Sequence, residues 1–83
     1  MIEEIRNVLR DHSGLGSAVD GLADHADLYS AGMTSHASVN VMLGLENQFD
    51  IEFPDHLLKR SSFESMAAIR GAIESLAVDL PAT

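Results

Sequence analysis

The sequence predicts an all-α fold: a small four-helix bundle with a long first loop and a short third helix. Three observations carry this. Apolar residues recur at three- and four-residue steps in three separate stretches. Glycines and short polar residues gather between the first two of these stretches. At 83 residues the chain holds one domain, with no internal repeat or low-complexity tract. A chain this short buries roughly 60% of the surface its unfolded form exposes, so its core is small.

The first helix is predicted from about Ile2 to His12. Ile2, Ile5, Val8 and Leu9 share one face, with Glu3, Glu4, Arg6 and Arg10 on the other. Acids in its first turn and Arg10 in its last suit the helix dipole. Gly14 and Gly16 stop it. Residues 13–34 read as a long irregular loop, pinned across the bundle by Leu15, Val19, Leu22, Leu28 and Tyr29.

The second helix is predicted from Ser35 to Phe49, capped by Thr34 or Ser35. Val39, Met42, Leu43, Glu46 and Phe49 form its stripe, flanked by Val41 and Leu45. Pro54 ends one element and can begin another. His56 to Arg60 is then a short helical turn holding Leu57 and Leu58. The last helix spans about Met66 to Val78, capped by Ser65, with Met66, Ile69, Ile73 and Leu76 as its stripe. Its alanines favour helix, and Gly71 is a candidate for close packing. Residues 1–78 form the domain, and 79–83 read as a flexible C-terminal tail.

Thirteen acidic and five basic side chains give a formal charge of −8. Such a surface repels nucleic acid and anionic lipid and favours partners with basic faces. It also serves simply to keep a small protein dissolved. No apolar run approaches the ~18 residues of a membrane span. The first residues, Met1-Ile2-Glu3-Glu4, are acidic where a signal peptide would be basic. The lack of cysteine fits a reducing cytoplasm.

The stretch Asp27-Leu28-Tyr29-Ser30-Ala31-Gly32-Met33-Thr34-Ser35 leads directly into the second helix, and Val39 to Asp55 reads VNVMLGLENQFDIEFPD. The run Phe63-Glu64-Ser65-Met66-Ala67-Ala68-Ile69 leads into the last helix. Together, in this order and spacing, these segments resemble acyl and peptidyl carrier proteins over about residues 2 to 78. An isolated Thr-Ser before a helix is ordinarily only a cap. The matched context reverses that reading.

The resemblance implies that a phosphopantetheinyl transferase moves 4′-phosphopantetheine from coenzyme A onto Ser35. The arm's thiol, which the cysteine-free chain lacks, would then hold an acyl or aminoacyl group as a thioester. Ligases would load it and downstream transferases would unload it. The protein, a monomer, would itself catalyse nothing. A phosphodiester at a helix start meets unpaired N–H groups and the positive end of the dipole, an effect of about 0.3–1 kcal/mol.

The departures from the family pattern are local. Many carriers place Asp-Ser-Leu where this chain has Thr34-Ser35-His36. Asn40, Asn47 and Gln48 stand where acids are frequent, and Lys59 and Arg60 add positive charge nearby. Docking is therefore expected through Met33, Thr34, His36, Val41 and Glu46, with apolar contact outweighing charge. A specialised carrier follows, for amino acids or a dedicated secondary pathway, rather than the housekeeping carrier of fatty acid synthesis. The competing reading is an interaction module that keeps the fold but is never modified.

Other constellations are weaker. The four histidines, His12, His25, His36 and His56, form no ligand pair on one helix, so no metal site is expected. His36 and Ser35, adjacent on a helix, point about 100° apart and make a poor catalytic pair. Met42 and Met66 read as core, and Met33 as an exposed contact.

Overall fold

A computed structural model describes residues 1–79 of the chain. Helix α1 runs Ile2–His12, α2 is a single turn at Leu28–Ala31, α3 runs Ser35–Phe49 and α4 runs Met66–Asp79. Short 3₁₀ turns occupy Gly16–Gly21, Asp55–Leu57 and Arg60–Ser62. The three long helices stand where periodicity puts them. The last extends one residue beyond the expected end, and the remainder of the expected tail, 80–83, lies outside the described residues.

Two of the expected segments change. The expected short helix at His56–Arg60 is a pair of 3₁₀ turns interrupted at Leu58 and Lys59. Residues 13–34 are not structureless, since they carry a 3₁₀ turn and α2. The expectation that apolar residues pin this segment is met. Val19 and Leu28 are fully buried, and Leu15, Leu22 and Tyr29 pack against the core.

Polar contacts hold the segment as well. Arg6, assigned to the outer face of α1, reaches over it and donates to the carbonyls of Val19 at 2.7 Å and Leu22 at 3.2 Å. At its far end, the Leu28 N–H donates to the Glu64 carbonyl and the Ala67 N–H to that of Asp24. The stretch before α2 is thereby tied to the approach to α4. Gly14, with φ +82°, takes the left-handed turn that follows α1.

The core gathers Ile5, Val8 and Leu9 from α1, Val41 and Leu45 from α3, and Met66, Ile69 and Ile73 from α4. Phe53 and Phe63 meet edge to face, with centroids 5.4 Å apart, beneath the connection between α3 and α4. Ser65 caps α4, its hydroxyl accepting the Ala68 N–H at 3.0 Å. Close helix packing uses Gly44, not Gly71. A Cβ on Gly44 would stand 2.9 Å from a methyl of Val8 and 2.7 Å from the His12 ring, whereas one on Gly71 would meet nothing within 4 Å.

Candidate functional site

The site is built where α2 turns into α3. The Asp27 carboxylate caps α2, accepting the N–H groups of Tyr29 at 2.9 Å and Ser30 at 3.3 Å. These bonds, led by that from Ser30, hold its pKa below the usual carboxylate range, and Arg60 adds to the effect. Gly32, with φ +123°, then reverses the chain, a conformation L side chains rarely adopt. Met33 follows and plugs into the core at 3% exposure.

Thr34 starts α3. Its hydroxyl accepts the Ala37 N–H at 3.0 Å, so Thr34, not Ser35, makes the cap. Asp and Thr both cap well, and the departure at this position therefore keeps the helix start while removing a charge. Ser35 and His36 are exposed in the first turn. Ser35 is fixed in place through its backbone, its carbonyl accepting the Ser38 hydroxyl at 2.6 Å.

Beside Ser35 lies an open groove of about 290 Å³, near the small end of ligand pockets. Val39, Met42, Leu58 and Phe63 give it apolar walls, and Tyr29, Ser38, Lys59 and Arg60 complete it. The Arg60 guanidinium sits 3.8 Å from the centroid of the Tyr29 ring, a cation–π contact. An exposed hydroxyl at the edge of an apolar groove suits a phosphate-linked arm, with its anion at the helix start and its aliphatic part in the groove.

The expected docking positions divide. Thr34, Ser35 and His36 share an exposed edge. Met33 and Val41, expected as outward contacts, are instead core, Val41 being fully buried. For Val41 the cause is the orientation of α3, whose buried face is Val41, Gly44 and Leu45; Met33 is turned inward by the chain reversal at Gly32, where its N–H donates to the Leu28 carbonyl. The stripe through Val39 and Leu43 faces outward, at 50% and 49% exposure. Glu46 is half-buried and accepts the Phe53 N–H at 2.9 Å, fastening the turn after α3. The signal missed in the sequence is Gly44, the single position of α3 small enough to lie against Val8.

No group of three or more potential metal-ligating side chains occurs among the described residues. No helix among them is long and apolar enough to cross a membrane.

A helical bundle that presents one exposed serine at a helix start, beside an apolar groove, is the architecture of a carrier protein. Residues 3–69 match the phosphopantetheine attachment site family, and the chain belongs to it. It is 53% identical over 70 residues to an aminoacyl carrier protein of Agrobacterium fabrum, covering 84% of each chain. A carrier protein from Agrobacterium tumefaciens, solved in complex with an engineered Bradyrhizobium japonicum glycine:[carrier protein] ligase and AMP, is 51% identical. It superposes with a TM-score of 0.85, covering 89% of this chain and 99% of that one. The solution structure of an Agrobacterium tumefaciens protein, also 51% identical, gives a TM-score of 0.74 over 95% of this chain and 94% of that one.

Proposed function

We propose that Ser35 carries 4′-phosphopantetheine and that the arm's thiol holds an amino acid as a thioester. The observation that carries the reading is the exposed Ser35 in the first turn of a helix already capped by Thr34, within a chain of the carrier family. A phosphopantetheinyl transferase installs the arm: the Ser35 hydroxyl attacks the phosphate of coenzyme A bonded to the pantetheine unit, and adenosine 3′,5′-bisphosphate leaves. An ATP-dependent ligase then makes an aminoacyl adenylate. The arm's thiol attacks its carbonyl and releases AMP. Support for an amino acid, with glycine as the first candidate, comes from the named relatives. Residues 1–78 act as the carrier domain, as a monomer in the cytoplasm, where coenzyme A and ATP are made.

The docking edge comprises Thr34 and His36 beside Ser35, extended along α3 by exposed Val39 and Leu43. The only charged side chain in α3, Glu46, is engaged with Phe53, so apolar contact outweighs charge on this face. The loading test uses the arm-bearing protein, ATP, a glycine:[carrier protein] ligase and each amino acid in turn. Intact mass should rise by one aminoacyl residue, most readily with glycine, and hydroxylamine should remove it. No adduct with any amino acid would overturn the aminoacyl reading.

A further inference from the structure

Val19 and Leu28 are fully buried, but none of residues 20–27 between them is buried, Leu22 and Ala26 being only half-buried. A stretch with so little apolar packing is of the kind that opens locally. What holds it is polar, and Arg6 stands at the centre. The Arg6 side chain is only 18% exposed, and its Nη1 donates to the carbonyls of both Val19 and Leu22. Its Nη2 lies 3.7 Å from the Asp24 carboxylate. A planar fork that meets three acceptors fixes where the segment lies, which apolar contact alone does not do. From Asp24 the order passes on through the backbone. The Asp24 carbonyl accepts the Ala67 N–H at 2.9 Å, and the Leu28 N–H donates to the Glu64 carbonyl at 2.7 Å. The Leu28 carbonyl in turn accepts the Met33 N–H at 3.0 Å, two residues before Ser35. Polar contacts therefore lead from Arg6 to the approach to Ser35, although Arg6 is no part of the docking edge.

We propose that Arg6 is a positioning residue for loading. It keeps α2 and the turn into α3 preformed, so that the ligase meets the Ser35 edge already in its docking arrangement. The inference rests on the aminoacyl carrier reading above. With Arg6 in place, residues 20–27 stay docked on α1 and on the start of α4. Without it, Val19 and Leu28 remain as anchors, and the segment between them samples undocked arrangements. The ligase must then order the segment as it binds. Apparent affinity falls by the fraction of carrier found in the docked arrangement. Reaction at the arm's thiol is untouched, because the polar contacts of Arg6 all go to residues 19–24. The signature is a higher KM for the carrier at an unchanged kcat. A substitution that only weakens the core produces no such split while the protein stays folded.

The test compares wild type, Arg6→Gln, Asp24→Asn and Ile73→Val, each bearing the arm. A glycine:[carrier protein] ligase loads them with ATP and the amino acid that the wild type takes best. Circular dichroism and intact mass confirm that each protein is folded and carries one arm. Arg6→Gln should raise the KM for the carrier about tenfold, as a docked fraction of about one-tenth requires, with kcat within about twofold. Asp24→Asn, which removes only the ion pair, should raise KM about threefold, and it decides the matter if Arg6→Gln does not fold. Ile73→Val, which weakens the core at a buried position, should leave KM unchanged. Amide exchange supplies a second readout. In Arg6→Gln the Leu28 and Ala67 N–H groups should lose more protection than the Leu45 N–H in α3. An unchanged KM in the folded variants, a fall in kcat in place of the rise in KM, or an equal rise in Ile73→Val would overturn the proposal. So would an equal loss of protection at Leu28, Ala67 and Leu45. In each case, loading of the wild type leaves the carrier reading intact. A wild type that bears the arm yet takes no amino acid would overturn both.

Discussion

At Thr34, Ser35 and Asp27, single side chains divide the work of the site. Thr34 caps α3 and so frees Ser35 from any structural duty. Ser35→Ala should therefore leave the fold intact, whereas Thr34→Ala should cost about 1 kcal/mol by chemical denaturation and Thr34→Asp should restore most of it. The carboxylates of Asp27 and Asp20 are held below their usual range, by the Ser30 N–H and by Arg10 respectively. A depressed carboxylate stabilises the fold above its unfolded pKa, and that contribution fades as pH falls through the folded value. Stability should thus decline below about pH 4, and Asp27→Asn should make the decline shallower. An equally steep acid profile in Asp27→Asn would contradict this role.

At the scale of an element, α3 was the hardest to read. Apolar residues surround much of it, so periodicity alone allows two faces to compete for the core. The choice falls to Gly44, which lets α3 settle against Val8 and His12 of α1. That contact turns Val41 and Leu45 inward and leaves Val39 and Leu43 outside. The same rotation buries Val41, expected as an outward contact, and leaves Phe49 only half-buried. By contrast the buried stripes of α1 and α4, Ile5, Val8 and Leu9 and then Met66, Ile69 and Ile73, were legible from periodicity. The 3₁₀ turn at Gly16–Gly21 was not, because its carbonyl partner, Arg6, is distant in the chain. Two substitutions test the orientation. Leu45→Ala should cost about 2–5 kcal/mol, whereas Leu43→Ser should shift stability by no more than about 0.5 kcal/mol. Leu43→Ser should instead raise the concentration of carrier needed for half-maximal loading. Gly44→Ala should cost about 1–3 kcal/mol by overpacking against Val8.

For the whole molecule, the net charge of −8 acts against a small core. Salt should screen that repulsion, so the melting temperature should rise as ionic strength increases from near zero to about 0.15 M, where the screening length is about 8 Å. Affinity for the loading enzyme should fall only mildly over the same range, because α3 offers it little charge. The bundle's other role is to keep α2 in register with the approach to α4, through the Leu28 and Ala67 bonds to Glu64 and Asp24. That register sets Ser35 at the mouth of the groove. The exposed helix start at Ser35 was readable in the sequence, while the groove was not, since its walls come from α2, α3 and the turns before α4.

The central claim is that Ser35 bears the arm. Its most direct measurement is the intact mass of the purified protein after incubation with coenzyme A and a broad-specificity phosphopantetheinyl transferase, for wild type and Ser35→Ala. The wild type should gain one phosphopantetheinyl group and the variant none. A wild-type mass unchanged by several transferases, or the same gain in Ser35→Ala, would contradict it.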